Sequence, residues 1–356
     1  MQEVPFLTLL IAIAAVALIV LILIFPKLAM SGASDAVRLW IDVLVPCLMP
    51  YCAAASMLAK SGVLSRLSRP LSAPTRRLTG FSGCFSYVVL ISALSGYPNG
   101  ARLCGELYSS GELNEDEAAR MINVSSLCGP SFIVSAVCAG MLENPSFSKY
   151  LLIPHYLSFI VMLLIFRPKR ICEKPTISAA LSPRPFEIIA DSVGASCYAM
   201  LNILGFTLLF SVVGALISGI FPAFFTAHPA LYALFSGFLE MTSGCKSASQ
   251  LNLPLSLVLI SFTASFGGLS VICQTVSAAW EHKLKTRRLF VSKLIQGALS
   301  AVFTFLYMKL SPPEAAVFSP VNVSSHAAFS KYAAICGIIV LLFSIVLLFL
   351  RPKSRD

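Results

Sequence analysis

The sequence predicts an all-α, polytopic membrane protein of about eight transmembrane helices plus two re-entrant helical hairpins arranged as an inverted repeat. Three observations carry that prediction. Of 356 residues, 57% are hydrophobic and only 12% charged, with mean hydropathy +0.84; a soluble domain carries about 25% charged residues. Uncharged runs at 4–25, 121–142, 150–166, 192–239, 247–280 and 332–350 are long enough to cross a bilayer. Two of the apolar regions are interrupted by glycine, proline, small polar residues and a cation, at 94–102 (LSGYPNGAR) and 240–246 (EMTSGCK), and each interruption is followed by a second, 126–131 (SLCGPS) and 265–270 (SFGGLS). Backbone that leaves the helix inside hydrocarbon must be buried in protein or line a wet cavity.

Charge sets the threading. The net charge of +10 is concentrated in four short segments, 60–77, 167–184, 283–293 and 351–355. Basic clusters beside spans orient a membrane protein, so they predict a cytoplasmic face and exclude nucleic acid as a partner; the bilayer is the partner they imply. With those four segments on one side, 6–25 is a retained N-terminal span, lacking the basic n-region of a cleaved signal. Segment 81–108 must enter and leave from the inside as a hairpin, with its tip near Gly96 to Gly100. Segment 117–142 crosses outward and 149–166 returns. In the second half 190–219 crosses outward, 230–250 enters from outside as a hairpin with its tip near Ser243 to Lys246, and 253–280, 294–310 and 331–350 complete the chain. The domain reading is an N-terminal span (1–30), a first repeat (35–170), a basic cytoplasmic linker (171–187), a second, inverted repeat (188–310), and a C-terminal span with a basic tail (311–356). A gapless match of 126–137 on 265–276, with Ser126/Ser265, Gly129/Gly268, Ser131/Ser270, Ile133/Ile272 and Val137/Val276 identical, echoes the repeat. Between hairpin and span, Asn114 followed by Glu115, Asp116 and Glu117 reads as a capped helix start.

Hairpin tips put helix ends inside the membrane, where unpaired N–H groups present partial positive charge. Arg102 and Lys246 add full charges beside them, and intramembrane cations mark substrate paths or ion pairs. The arrangement predicts a small anionic substrate. The competing reading pairs Arg102 with Glu106 at i+4 and Lys246 with Glu240. Glu240 is the one acid between Asp191 and Glu281, a coupling or gating residue or a neutral, hydrogen-bonded carboxyl. Ser95, Gly96, Asn99, Gly100, Thr242, Ser243 and Gly244 surround the tips. Asn123, Ser126, Gly129, Ser131, Ser265, Gly268 and Gln274 lie on the broken spans. Each serine alone also suits helix packing or back-bonding to a carbonyl; the clustering at two matching places carries the prediction. Pro98 and Pro130 remove helical donors and free carbonyls four residues back.

Other chemistry finds no motif. The eleven cysteines form no CxxC pair, and the four histidines pair with no acid or cysteine at ligand spacing. No nucleophile elbow, zinc helix or phosphate loop is present. The sequence therefore predicts no enzyme, no metal and no cofactor, and it leaves a homo-oligomer open.

The motifs SGYPNGAR at 95–102 and NVSSLCGPSF at 123–132, with the acidic helix start between them and GFLEMTSG at 237–244, resemble the nucleoside-recognition (Gate) family. Within it they are similar to the sporulation integral membrane protein group, YlbJ or SpoVV. The resemblance runs from about residue 35 to 310. It implies a Gate-type inverted repeat that moves dipicolinic acid across the outer forespore membrane of an endospore former by alternating access, with Arg102 standing where relatives carry a lysine. Rival expectations are a nucleoside or other neutral-solute transporter of the same family and a non-transporting scaffold for sporulation assembly.

Overall fold

A computed structural model describes residues 6–168 and 184–313. The expected 331–350 span and the basic tail lie outside the described residues, as does most of the linker at 171–187. Among the described residues every regular element is helical, and five stretches are long and apolar enough to cross a membrane: Pro26–Lys60, Pro145–Ile165, Pro185–Ile220, Leu255–Trp280 and Leu289–Leu310. The protein is an all-α polytopic membrane protein.

Helix α1 (Phe6–Ile24) is apolar on all sides and exposes Ile11, Ile13, Val16 and Leu23, as a lipid-facing helix does. Pro26 then starts α2 (Pro26–Leu39), a first-turn position that needs no N–H. One π-helical turn, Trp40–Leu44, joins α2 to α3 (Val45–Lys60) in a 35-residue helix. At ~1.5 Å per residue that is longer than the ~30 Å hydrocarbon core. The basic segment at 60–77, expected as a loop, is instead helix α4 (Val63–Thr79), bracketed by left-handed Gly62 and Gly80. It buries Leu64 and Ser68 and turns its arginines outward. That amphipathic form suits a helix lying in the membrane interface.

Next come α5 (Phe85–Ser95) and α6 (Asn99–Ser109), each 11 residues and so only about 16 Å long. They fold back on one another across Gly96 to Pro98: a Cβ added to Gly100 would fall on Ser92, so positions on either side of the tip touch. Helix α7 (Glu115–Ser125) starts as expected, with the Asn114 side chain accepting the Glu117 N–H at 2.9 Å. It stops at Ser126, and the chain resumes after Pro130 as a π-helix, Phe132–Met141, then a single 3₁₀ turn at Pro145–Phe147 and α8 (Ser148–Ile165).

The second half repeats this order. Helix α9 (Pro185–Ile220) has 36 residues, α10 (Pro222–Ala227) is short, and α11 (Pro229–Leu239) and α12 (Met241–Ser249) form a second folded-back pair. Gly244 sits on the Gly237 backbone there. Helices α13 (Leu255–Phe266) and α14 (Gly268–Trp280) are one span broken at Gly267 and Gly268, both at positive φ, and α15 (Leu289–Leu310) ends the described chain. The break positions coincide with the sequence echo, Gly129 against Gly268.

Packing follows the same pairing. The two long helices, α2–α3 and α9, lie against each other, with Gly32 close enough to Ala215 and the Ser211 carbonyl that no side chain fits between; small residues allow such approach in membranes. Helix α5 packs on α3 as α11 packs on α9, and α6 meets α14 as α12 meets the π-helix after Pro130. Of the spanning stretches Leu255–Trp280 is the most enclosed, with 72% of its most apolar window buried against 11% for Pro185–Ile220. The broken span is therefore the centre and the long helix the rim.

Candidate functional site

Each hairpin tip is seated on the break of its own half. Gly96, at φ +69, lies so close to Gly129 that an added Cβ would come within 2.7 Å of the Gly129 nitrogen. In the second half, Gly268 at φ +71 would place a Cβ 2.9 Å from the Gly237 carbonyl and 3.1 Å from the Met241 nitrogen. Only glycine allows both the torsion and the approach. Glu240 forms the second tip: its backbone is extended, and its carboxylate accepts the Ser243 N–H at 2.7 Å, capping α12.

At the tips and breaks, Tyr97 and Lys293 help tie the halves together. The Tyr97 hydroxyl at the first tip donates to the Ala264 carbonyl at 2.7 Å, near the end of α13. The Lys293 ammonium on α15 donates to the Ser126 carbonyl at 2.6 Å, and to Gln296 Oε1 at 2.8 Å, while standing 5.0 Å from the centre of the Tyr97 ring. Ser126 would pair in a helix with the N–H of residue 130, but that residue is proline and has none. The break supplies the acceptor and Lys293 fills it.

Between tips and breaks is a cavity of about 50 Å³. Its polar wall comes from Ser95 and Tyr97 of the first tip, Ser131 after the first break, Glu240 and Thr242 of the second tip, and Gln274 of α14, with Gly96 and Gly129 in the backbone wall. Leu44, Leu48, Met200 and Ile203 of the long helices close its apolar side. Thr207 also lines it, with a buried hydroxyl that has no partner. A water occupies ~30 Å³ and organic-ligand sites run from ~300 Å³. The cavity is too small for an organic solute, so admitting one requires tips and breaks to separate.

The cavity thus gathers Ser95, Gly96, Gly129, Ser131, Glu240, Thr242 and Gln274 from the predicted set. The other members lie around it. Gly100 and Gly244 close the two hairpins, and Gly268 seats the second tip. Ser126 Oγ back-bonds to the Ile122 carbonyl. Ser243 Oγ meets Ser211 Oγ at 3.2 Å. Asn123 donates to the Arg287 carbonyl at 3.1 Å. Ser265 Oγ is 2.8 Å from Nδ1 of buried His155. Asn99 opens α6 and is half-buried.

The two cations occupy other places than the sequence reading gives them. Arg102 points away from the cavity, 4.0 Å from the Glu281 carboxylate and over the Tyr198 ring, rather than toward Glu106 alone. Lys246 is exposed on α12, and Glu240 turns to the Ser243 N–H instead of to Lys246. The tip motif fixes where the chain bends, and helical phase then carries these long side chains to the outer face. Arg102→Gln and Lys246→Gln are therefore each expected to change solute uptake by less than about twofold, since exposed charges contribute little. Initial rates in proteoliposomes check this, and a tenfold loss in either variant would put the charge back at the substrate.

Two side chains that join the halves are absent from the sequence-predicted set. Tyr97 lies inside the first motif and is given no role of its own by the sequence. Lys293 is grouped with the basic loop at 283–293, although α15 begins at Leu289 and the lysine is 1% exposed one turn inside it. The four apolar or small residues before it, 289–292, are the signal that separates it from Arg287 and Arg288.

Comparison with known proteins gives one informative likeness. The chain is 27% identical over 341 residues to the sporulation integral membrane protein YlbJ of Bacillus subtilis (strain 168), covering 85% of this chain and 83% of that protein. The likeness supports the YlbJ group for this chain. No protein-family model matches, and no solved structure does.

Proposed function

We propose that this chain is a transporter of a small organic anion, dipicolinic acid, acting in a sporulating bacterium by alternating access between two inverted, Gate-like halves. The observation that carries the reading is the meeting of two hairpin tips and two broken spans around one small cavity with polar groups in an otherwise apolar wall. Broken helices at the mid-membrane are the recurring design of solute sites in secondary transporters. The name of the Bacillus subtilis relative supports sporulation as the setting, and the family resemblance supports dipicolinate and the outer forespore membrane.

In this reading the substrate carboxylates are held by backbone N–H groups at helix starts and by the hydroxyls of Ser95, Ser131, Thr207 and Thr242, with the Gln274 amide fixing the ring. Helix N-termini bind anions without a formal cation. The unpartnered Thr207 hydroxyl supports a ligand there, because a buried polar group without a partner is costly. Opening lifts one tip off its break at a time. Gly96–Gly129 and Gly268–Gly237 are the two contacts that part, and the short hairpins move against the rim of long helices.

A second reading, a neutral solute such as a nucleoside, is favoured by one observation: Glu240 is in the wall and, among the described residues, no lysine or arginine lines the cavity. One thermal-shift series on the purified protein separates the two, since binding to the native state raises the melting temperature by mass action. Dipicolinate is expected to raise it, with uridine and succinate silent. A rise with uridine alone would replace the anion reading by the neutral one. No shift with any of them, joined to no uptake in proteoliposomes, would remove the transporter reading.

A further inference from the structure

We infer that Lys293 is a proton-binding site that couples movement of the first hairpin to proton movement, an inference resting on the transport reading above. Lys293 is 1% exposed in a span, and among the described residues no carboxylate forms an ion pair with it. Its acceptors are neutral: the Ser126 carbonyl, Gln296 Oε1 and the face of Tyr97. An ammonium in that setting is expensive to keep and marks function by default. It also occupies the place where an unwound helix offers its free carbonyl to a coupling ion. Here the cation is carried by the chain itself, and the exchangeable ligand is the proton.

The geometry says what the proton does. Lys293 belongs to the second half, and both Ser126 and Tyr97 belong to the first. Charged, the ammonium donates strongly to the carbonyl and is attracted to the ring, which keeps the first tip and the first break docked against α15. Neutral, the amine is a weak donor without cation–π attraction, and this tie between the halves is weakened. The step is a simple transfer: a hydronium ion entering with water gives its proton to the amine lone pair, leaving water, and the reverse occurs on the opposite side. The other titratable groups around it are His155 of α8, Cys128 in the break after α7 and the Tyr97 phenol. His155 binds Ser265 through Nδ1 while its Nε2 is buried without a partner, as is Gln296 Nε2. These two open polar atoms flank the lysine with places where a relaying water would bind.

Lys293→Arg keeps the charge but does not release it, and Lys293→Gln never carries it, so the pair brackets a folding defect in either. Detergent-solubilised protein is mixed with dipicolinate in weak buffer containing a pH-sensitive dye, and dipicolinate uptake into proteoliposomes is driven by an imposed pH gradient. Wild type is expected to exchange a proton on binding and to accumulate dipicolinate on the gradient. Lys293→Gln is expected to keep dipicolinate exchange without a gradient while losing the proton signal and at least about tenfold of the gradient-driven accumulation, about 1.4 kcal/mol; Lys293→Arg, always charged and docked, is expected to lose the proton signal and exchange as well. Gradient-driven accumulation at wild-type level in either variant, or active wild-type uptake indifferent to the gradient, would overturn the inference. Wild type that neither binds nor moves dipicolinate would instead strike the functional reading beneath it.

Discussion

Gly244→Val is expected to abolish uptake and to lower the stability of the protein by about 3 kcal/mol, the upper range for overpacking a tight interface. A Cβ at this position falls on the Gly237 backbone, and the next neighbour is Thr263 of α13 at 3.1 Å. The clash is with main chain, so no side-chain rotation relieves it. The second hairpin must splay, and with it goes the position of Glu240 over the Gly268 break. Gly205→Ala is the control: nothing lies within 4 Å of its added Cβ in α9, and alanine favours a helix over glycine by ~1 kcal/mol. Thermal melts of the two variants in the same detergent should move in opposite directions. Equal melting temperatures would mean that α11 and α12 are not packed as described.

Glu240 should separate structure from charge more sharply than any other residue. Its carboxyl caps α12 through the Ser243 N–H and lines the cavity. Glu240→Gln retains an oxygen for the cap and removes the ionisable group. If the substrate is dipicolinate and binds beside an ionised Glu240, that variant should bind it about tenfold more tightly, a gain of ~1.4 kcal/mol. Glu240→Ala loses the cap as well, at ~1 kcal/mol, and uptake should fall although the repulsion is gone. Titration calorimetry with dipicolinate on all three proteins checks the order Gln, wild type, Ala. Weaker binding by Glu240→Gln would mean that the carboxylate contacts the substrate directly, as a neutral hydrogen-bonding solute would require.

How legible this protein was depended on the kind of signal. The helix breaks could be read directly, because glycine beside proline or small polar residues weakens a helix wherever it interrupts an apolar run. Each of the segments 94–102, 126–131, 240–246 and 265–270 contains a helix end in the structure. That two of them are folded-back pairs came from the basic segments, through the requirement that the chain return to the correct side. Side-chain direction was not legible. Arg102 and Lys246 do not line the cavity, since one helical position turns a residue through ~100° and a motif does not fix that phase. Lys293 was hidden by its neighbours, a single buried lysine next to a solvated cluster. The helix at Val63–Thr79 was hidden by Pro70 and Pro74, which read as loop residues but stand within a helix whose termini Gly62 and Gly80 define.

Whether the two hairpin tips meet around one cavity can be decided by cross-linking. Ser95 and Thr242, one from each tip, are replaced by cysteine in a chain whose eleven native cysteines are removed, and proteoliposomes are treated with a short bifunctional maleimide. An intramolecular cross-link should form in the double variant and in neither single variant. Full reaction of both cysteines with a monofunctional maleimide, but no cross-link between them, would show that the tips do not meet.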